Sequence, residues 1–268
     1  MLESLYYILW IFFIYSFLGW CMEVVYATTD TGRFINRGFL NSPICPIYGT
    51  GMVIIITSLY SVKDNILLLF LGSMILASLL EFITGFVLEK IFNEKWWDYS
   101  NLPFNIKGYI CLKFSLAWGF ICVFIIKIIY PFTEKFINII PTKLGIFILV
   151  ILILSIITDF IITLINILNL PKQIKTLNEI EIKMNKLSES IGKELSDNTL
   201  HIQEKKHEFE LHIKEENEKI EELKNKYKKL LVHTKLKYKR LLDAFPNIKN
   251  GKYKDLAHKI FDIRNKKD

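Results

Sequence analysis

Five stretches of the chain are apolar for long enough to be read as membrane helices: Leu5 to Tyr26, Ile47 to Val62, Ile66 to Glu89, Cys111 to Tyr130 and Leu144 to Leu170. A bilayer core of about 30 Å needs roughly 20 apolar helical residues, so the second stretch is short unless the Pro46 region adds to it. The third is the most informative. Ser73, Ala77, Glu81, Gly85 and Glu89 recur every four residues, with Ser78 and Thr84 on nearly the same side. On a helix that spacing draws one small, polar stripe. The stripe is predicted to face other helices, because lipid offers its groups no hydrogen bond and small residues let backbones approach. Pro131 is expected to end the fourth helix.

The connectors have their own patterns. Residues 27–46 carry Arg33, Asn36, Arg37, Gly38, Asn41 and two prolines, Pro43 and Pro46, with Tyr48 just beyond. Prolines and glycines at this density exclude a regular helix. The apolar residues among them leave two readings, a loop that dips back into the protein and a packed turn leading into the second helix. Residues 90–111 are polar and aromatic, with Trp96, Trp97, Asp98, Tyr99, Asn105 and Gly108. The tryptophans fit an interfacial belt. Asp98 and Tyr99 read as an N-cap and an interface aromatic, with an acid/base role as the rival.

After residue 170 the pattern changes to helical seams. Leu177, Ile180, Met184, Leu187 and Ile191 alternate by three and four, as do Phe209, Ile213, Ile220, Leu223, Tyr227 and Leu230, with Glu216 in the gap. Gly192 and Ser196 to Thr199 suggest a break, giving an antiparallel hairpin, and a continuous parallel dimer coil is the alternative. Pro246 and Gly251 should end the seam before a short helix over 252–265. The fold class is therefore all-α: five transmembrane helices in 1–170 and a coiled-coil or hairpin tail in 171–268.

Charge sharpens this division. Residues 1–170 hold ten Lys/Arg and ten Asp/Glu, so the whole excess of +7 lies in the tail. Arg33, Arg37, Lys90, Lys95, Lys107 and Lys113 fall on the tail's side of the membrane and Lys63, Lys127, Lys135 and Lys143 on the other. Positive residues collect inside, which predicts the N-terminus outside and the tail in the cytoplasm. The first helix lacks a basic start and is read as retained rather than as a signal peptide. The tail's basic residues from Lys224 to Arg240 follow directly on Glu215, Glu216, Glu218, Glu221 and Glu222 and read as a solvated face, open to anionic lipid or a protein partner rather than to nucleic acid.

Candidate chemistry centres on acids. By helix rise, Glu81 and Asp159 lie about 12–17 Å from the inner end, with Glu23 and Glu89 nearer the surface. Ionisable groups in a span mark function by default, here a substrate or ion path through Glu23, Glu81, Glu89 and Asp159. The alternatives are structural pairing with Arg33 and Arg37, and an anionic site built on those arginines. Cys21, Cys45, Cys111 and Cys122 are scattered, and all five histidines lie in the tail, so neither a disulfide framework nor a histidine metal site is expected in the membrane part. HExxH, GxSxG and the Walker A sequence are absent, which argues against zinc hydrolysis, serine hydrolysis and ATP hydrolysis by this chain. No cofactor is implied.

Taken as a set, Gly19-Trp20-x-x-Glu23, Asn36-Arg37-Gly38-Phe39-Leu40-Asn41, Pro46-Ile47-Tyr48-Gly49, Leu80-Glu81, Leu88-Glu89-Lys90, Trp96-Trp97-Asp98-Tyr99-Ser100 and Asn105-x-x-Gly108-x-Ile110-Cys111 resemble the type IV ABC transporter permease family, the CmpB-like bacterial membrane proteins. The resemblance covers most of residues 5–170 and leaves out the tail. It implies a cell-membrane subunit that dimerises and relies on a separate ATPase, which would contact residues 27–46 or 90–111. A membrane scaffold or sensor recruiting partners through its tail is the rival class, and a small membrane-embedded enzyme the third.

Overall fold

A computed structural model of the chain describes residues 2–92, 95–198 and 206–244. Helices dominate: α1 (Leu2–Thr31), α2 (Pro46–Leu59) with a 3-10 turn at Tyr60–Val62, α3 (Ile66–Phe92), α4 (Leu112–Phe124), α5 (Tyr130–Ile139), α6 (Thr142–Asn198) and α7 (Lys206–Ala244). A two-stranded antiparallel ribbon, β1 (Asn105–Ile106) and β2 (Ile110–Cys111), precedes α4. The described residues divide into two compact units, 2–165 with 240–244, and 166–239.

Four helices of this all-α membrane protein are long and apolar enough to span a bilayer: Ser4–Thr31, Ile66–Phe92, Leu112–Ile139 and Thr142–Lys193. Pro46–Val62 is apolar but shorter. Within the first unit it still runs from one end of the bundle to the other. At its start Tyr48 bonds Glu23 of α1, and at its finish the Tyr60 ring meets Tyr130 at 5.2 Å. One end of the bundle therefore holds both long connectors. The other holds the turn at Lys63-Asp64-Asn65, where Asp64 pairs with Lys127 at 3.3 Å.

Proline has less effect than its sequence position suggests. Pro131 does not stop the fourth helix: a π-turn at Ile125–Ile129 passes directly into α5, where Pro131 occupies the first turn. It follows directly on the π-turn, where the regular i→i+4 ladder is already interrupted. Pro171 likewise lies inside α6, which runs unbroken from Thr142 past Gly192 to Asn198. Thr199 and the helix expected over 252–265 lie outside the described residues.

The connectors are shorter than their sequences suggest, since α1 runs to Thr31 and α3 to Phe92. Residues 32–45 fold back along α1, and the Cys45 N–H donates to the Ser16 carbonyl at 3.0 Å. Fifteen residues of helix separate Ser16 from Thr31, so the chain descends about 22 Å before α2 begins. Ile35, Leu40, Ile44 and Cys45 are buried on the way. This descent explains why α2 is short. The stripe on α3 lies where its pattern puts it, with Leu69, Ser73, Glu81 and Gly85 buried and Ser78 donating to Ser115 of α4 at 2.7 Å. All four cysteines are free thiols.

In the second unit the latter part of α6 and α7 lie antiparallel. Thr234 donates to Gln173 at 3.2 Å and Ser190 to Glu216 at 3.4 Å, so residues further along one helix meet residues earlier on the other. Leu177, Ile180 and Ile191 are buried on one side and Ile220, Leu231 and Tyr238 on the other. Leu177, Ile180, Ile191 and Ile220 belong to the predicted seams, and Leu231 and Tyr238 do not.

Candidate functional site

The connector end of the first unit gathers a polar centre from four helices and both connectors. Glu23, on the last turns of α1, accepts the Tyr48 hydroxyl of α2 at 2.5 Å and faces Arg37 of the returning connector at 3.9 Å. Arg37 also lies over the Tyr26 ring, 5.2 Å from its centroid. Across from it on α3, Glu81 is only 8% exposed and accepts the Tyr99 hydroxyl at 3.0 Å. Its other oxygen, Oε2, is enclosed and has no hydrogen-bond partner among the described residues. The Trp118 indole of α4 stands beside this carboxylate, and Glu23 lies within electrostatic reach of it. Tyr48 and Trp118 meet edge-on at 5.7 Å, closing the ring of side chains.

Tyr99 is aimed by a loop that ties itself together. Lys107 and Gly108 both take positive φ, 53° and 76°, as a type I′ turn requires at its two centre positions. That turn closes the ribbon of β1 and β2 and presents the Gly108 carbonyl to the Tyr99 N–H at 2.8 Å. Asn105 holds the Leu102 carbonyl and receives the Gly108 N–H, and Trp97 donates to the Tyr109 carbonyl at 2.8 Å. Asp98 accepts both the N–H and the hydroxyl of Ser100. Burial opposes its charge, but these bonds and Lys95 outweigh it and hold the Asp98 carboxyl below its usual range. Asp98 therefore shapes a turn rather than capping a helix. Burial and then the Glu81 carboxylate push the Tyr99 phenol well above its ordinary value, so Tyr99 stays a donor to Glu81.

A second polar cluster holds the other connector from both sides. Asp159 of α6 accepts the Asn41 N–H at 3.2 Å, the Asn41 side-chain amide at 2.8 Å and the Ser42 N–H at 2.7 Å, with Thr163 one turn on at 3.2 Å. Arg240, where the first unit resumes, donates to the carbonyls of Gly38 at 2.7 Å and Phe39 at 3.1 Å. An anion thus takes the loop's donors and a cation its acceptors. Asn36 fixes the same loop internally: it accepts the Trp20 indole N–H at 2.8 Å and donates to the Asn41 carbonyl at 2.9 Å. A Cβ at Gly38 would lie 3.2 Å from the Trp20 ring, a tight fit that the ring would have to yield to.

Comparison with known proteins bears on this centre directly. The model of one family, described as putative ABC-transporter type IV, matches residues 10–164, more than half of the chain. The chain belongs to that family. No solved structure matches it. The match in this type IV ABC-transporter family member takes in α1 to the middle of α6, including both connectors and all the acids above, and it stops short of α7.

Several residues named from the pattern of this family member come together in other combinations than depth alone suggested. Glu81 meets Tyr99 and the neighbourhood of Glu23, while Asp159 serves the connector through Asn41 and Ser42. Helix rise gives depth but not direction around the axis, and the oxygens of Asp159 are taken up by the folded-back connector. Arg37 goes to Glu23 rather than to either deeper acid, and Arg33 is exposed just past α1. Glu89 lies two turns from Glu81, beside Tyr109. Trp96 packs on Phe39 at 5.1 Å, joining the two connectors. Pro46 opens α2. Trp118, Thr163 and Arg240 escaped the sequence reading. Thr163 was detectable, being four residues after an intramembrane acid; Arg240 was hidden in a run of tail lysines.

Proposed function

We propose that this chain is the permease-like, membrane-spanning subunit of an ABC transporter whose ATP hydrolysis comes from a separate subunit. The observation that carries the reading is the convergence of two non-helical connectors on Glu23 and Glu81 inside an apolar bundle. Non-helical backbone at such a depth survives only when buried or lining a cavity, and acids there are expensive to keep without a role. Family membership supports the transport class, and the lack of a Walker A sequence fits a subunit that does not hydrolyse ATP itself.

In this reading the short α2 and its descending connector together make a fifth crossing. The connector end faces the cytoplasm, since Arg33, Arg37, Lys90, Lys95, Lys107 and Lys113 gather there. The N-terminus is then outside and the tail inside, in a bacterial cell membrane. Glu23, Glu81, Glu89 and Asp159 with Arg37 and Arg33 line the path, and the connectors offer the ATPase its contact in a homodimer. The tail is an intramolecular antiparallel coiled coil. With Leu177, Ile180, Ile191 and Ile220 buried, what it leaves for a protein partner or anionic lipid is its charged outer face, which gives the scaffold reading less support.

Co-purification tests this. The chain extracted from its native membrane in mild detergent should carry a P-loop ATPase in comparable amount. Recovery of the intact chain free of any ATPase, after cross-linking in the membrane as well as without it, would refute the permease reading.

A further inference from the structure

The geometry points to Glu81 as a proton-binding site: its carboxylate takes one proton from water on Oε2 to become the neutral acid, and returns it to water as the pH rises. This rests on the reading of the acids as lining a path, and names the ion that the path exchanges. Three ways exist to keep an acid at this depth: a cationic partner, a bound metal ion, or a proton. The first is used elsewhere, because Arg37 faces Glu23, and Arg240 is committed to the carbonyls of Gly38 and Phe39. The second is opposed by the groups at the carboxylate, which are hydrogen donors, the Tyr99 hydroxyl and the Trp118 indole, and the described residues bring no group of three or more His, Cys, Asp or Glu together there. A proton remains.

The surroundings agree with the smallest possible ligand. Glu81 is 8% exposed, and Tyr99 and Trp118 crowd its carboxylate from the loop and from α4. The groups facing it from each packed element are Glu23 on α1, Tyr48 on α2, Tyr99 on the loop and Trp118 on α4, with Arg37 and Cys45 behind Glu23 and Cys111 behind Tyr99. The charged group within electrostatic reach of Glu81 is the Glu23 carboxylate, and Arg37 faces Glu23 rather than Glu81. Tyr99 donates to Oε1 and the Trp118 indole stands beside the carboxylate, while Oε2 is enclosed with no hydrogen bond of its own and is the acceptor for the added proton. Protonation relieves the repulsion from Glu23 and needs no other reactant.

Infrared spectroscopy of the whole protein in lipid nanodiscs, titrated from acid to alkaline pH, reads this directly. The wild type should show a carboxylic-acid carbonyl band at neutral pH that vanishes as the solution is made alkaline. Glu81→Gln should lack that band, Glu81→Asp should move it, and Glu89→Gln should keep it. A wild type with no titrating acid band, or a band of equal size in Glu81→Gln, would overturn the assignment. If Glu81→Gln does not fold, the band's displacement in Glu81→Asp decides, and its failure to move counts against the site. The band reports protonation whether or not an ATPase accompanies the chain, so this result and the permease reading fail separately.

Discussion

Gly49→Ala is expected to separate α2 from α1. A Cβ at this position would lie 2.1 Å from the Ser16 hydroxyl and 2.3 Å from the backbone carbonyl of Phe12. Ser16 can turn away, but the Phe12 carbonyl belongs to the helix and cannot. Overpacking of a close contact typically costs 1–3 kcal/mol, and with backbone on the far side the upper end, about 3 kcal/mol, is expected. The consequence reaches the polar centre, because the same contact sets the height of Tyr48 against Glu23. Thermal unfolding of purified protein should show a large fall in Tm. Gly192→Ala supplies the contrast: it sits within α6 with nothing inside 4 Å, so alanine should stabilise the helix by about 0.5–1 kcal/mol. Equal effects of the two substitutions would contradict the packing of α1 on α2.

The second large effect is expected at the connector held by Asp159 and Arg240. Asp159→Asn keeps one acceptor oxygen but turns an amide toward N–H groups that need an acceptor. Hydrogen bonds to a charged group are each worth about 1.5–3 kcal/mol, and with Asn41 exposed and Ser42 half-buried the loss should lie toward the low end, about 1.5–2 kcal/mol. Arg240→Gln loosens the same loop from its carbonyl side with a smaller cost. Because both side chains hold residues 38–42, the double variant should cost less than the sum of the two, with a coupling of about 0.5–3 kcal/mol. Hydrogen exchange of the Asn41 and Ser42 amides reads this locally. Unchanged exchange in Asp159→Asn would show that the loop is held by other means.

What could be read from the sequence followed period and composition. The stripe from Ser73 to Glu89 faces inward because a spacing of four on a helix leaves little choice, whereas in the tail the alternation located Leu177, Ile180, Ile191 and Ile220 and missed the buried Leu231 and Tyr238. The prolines were harder to read. Pro131 suggests a helix end, but the helix continues past it through a π-turn, and α6 likewise carries Pro171. The acids were found, and their partners were not. Glu81 and Asp159 are at similar depth in a linear count, yet the connector descending about 22 Å along α1 takes up the oxygens of Asp159. A fold in which non-local loops choose the partners hides them from any local pattern. Arg240 is the clearest case, since it lies about 200 residues from the carbonyls it meets and among lysines that look like an ordinary charged helix face.

The central claim is that the α3 stripe lines a polar interior reached from the connector end, while the rest of α3 faces lipid. Single-cysteine labelling in a background lacking Cys21, Cys45, Cys111 and Cys122 tests it most directly. Ala77→Cys, Glu81→Cys and Glu89→Cys on the stripe are compared with Ile75→Cys, Leu79→Cys and Ile83→Cys, whose native side chains are exposed on the outer faces. A membrane-impermeant maleimide should label the stripe positions from the cytoplasmic side of inverted vesicles during ATP turnover and leave the other three unlabelled, because a thiol reacts as its thiolate and needs water to form one. Equal labelling of both sets, or labelling of the stripe only from the outer side, would contradict the account.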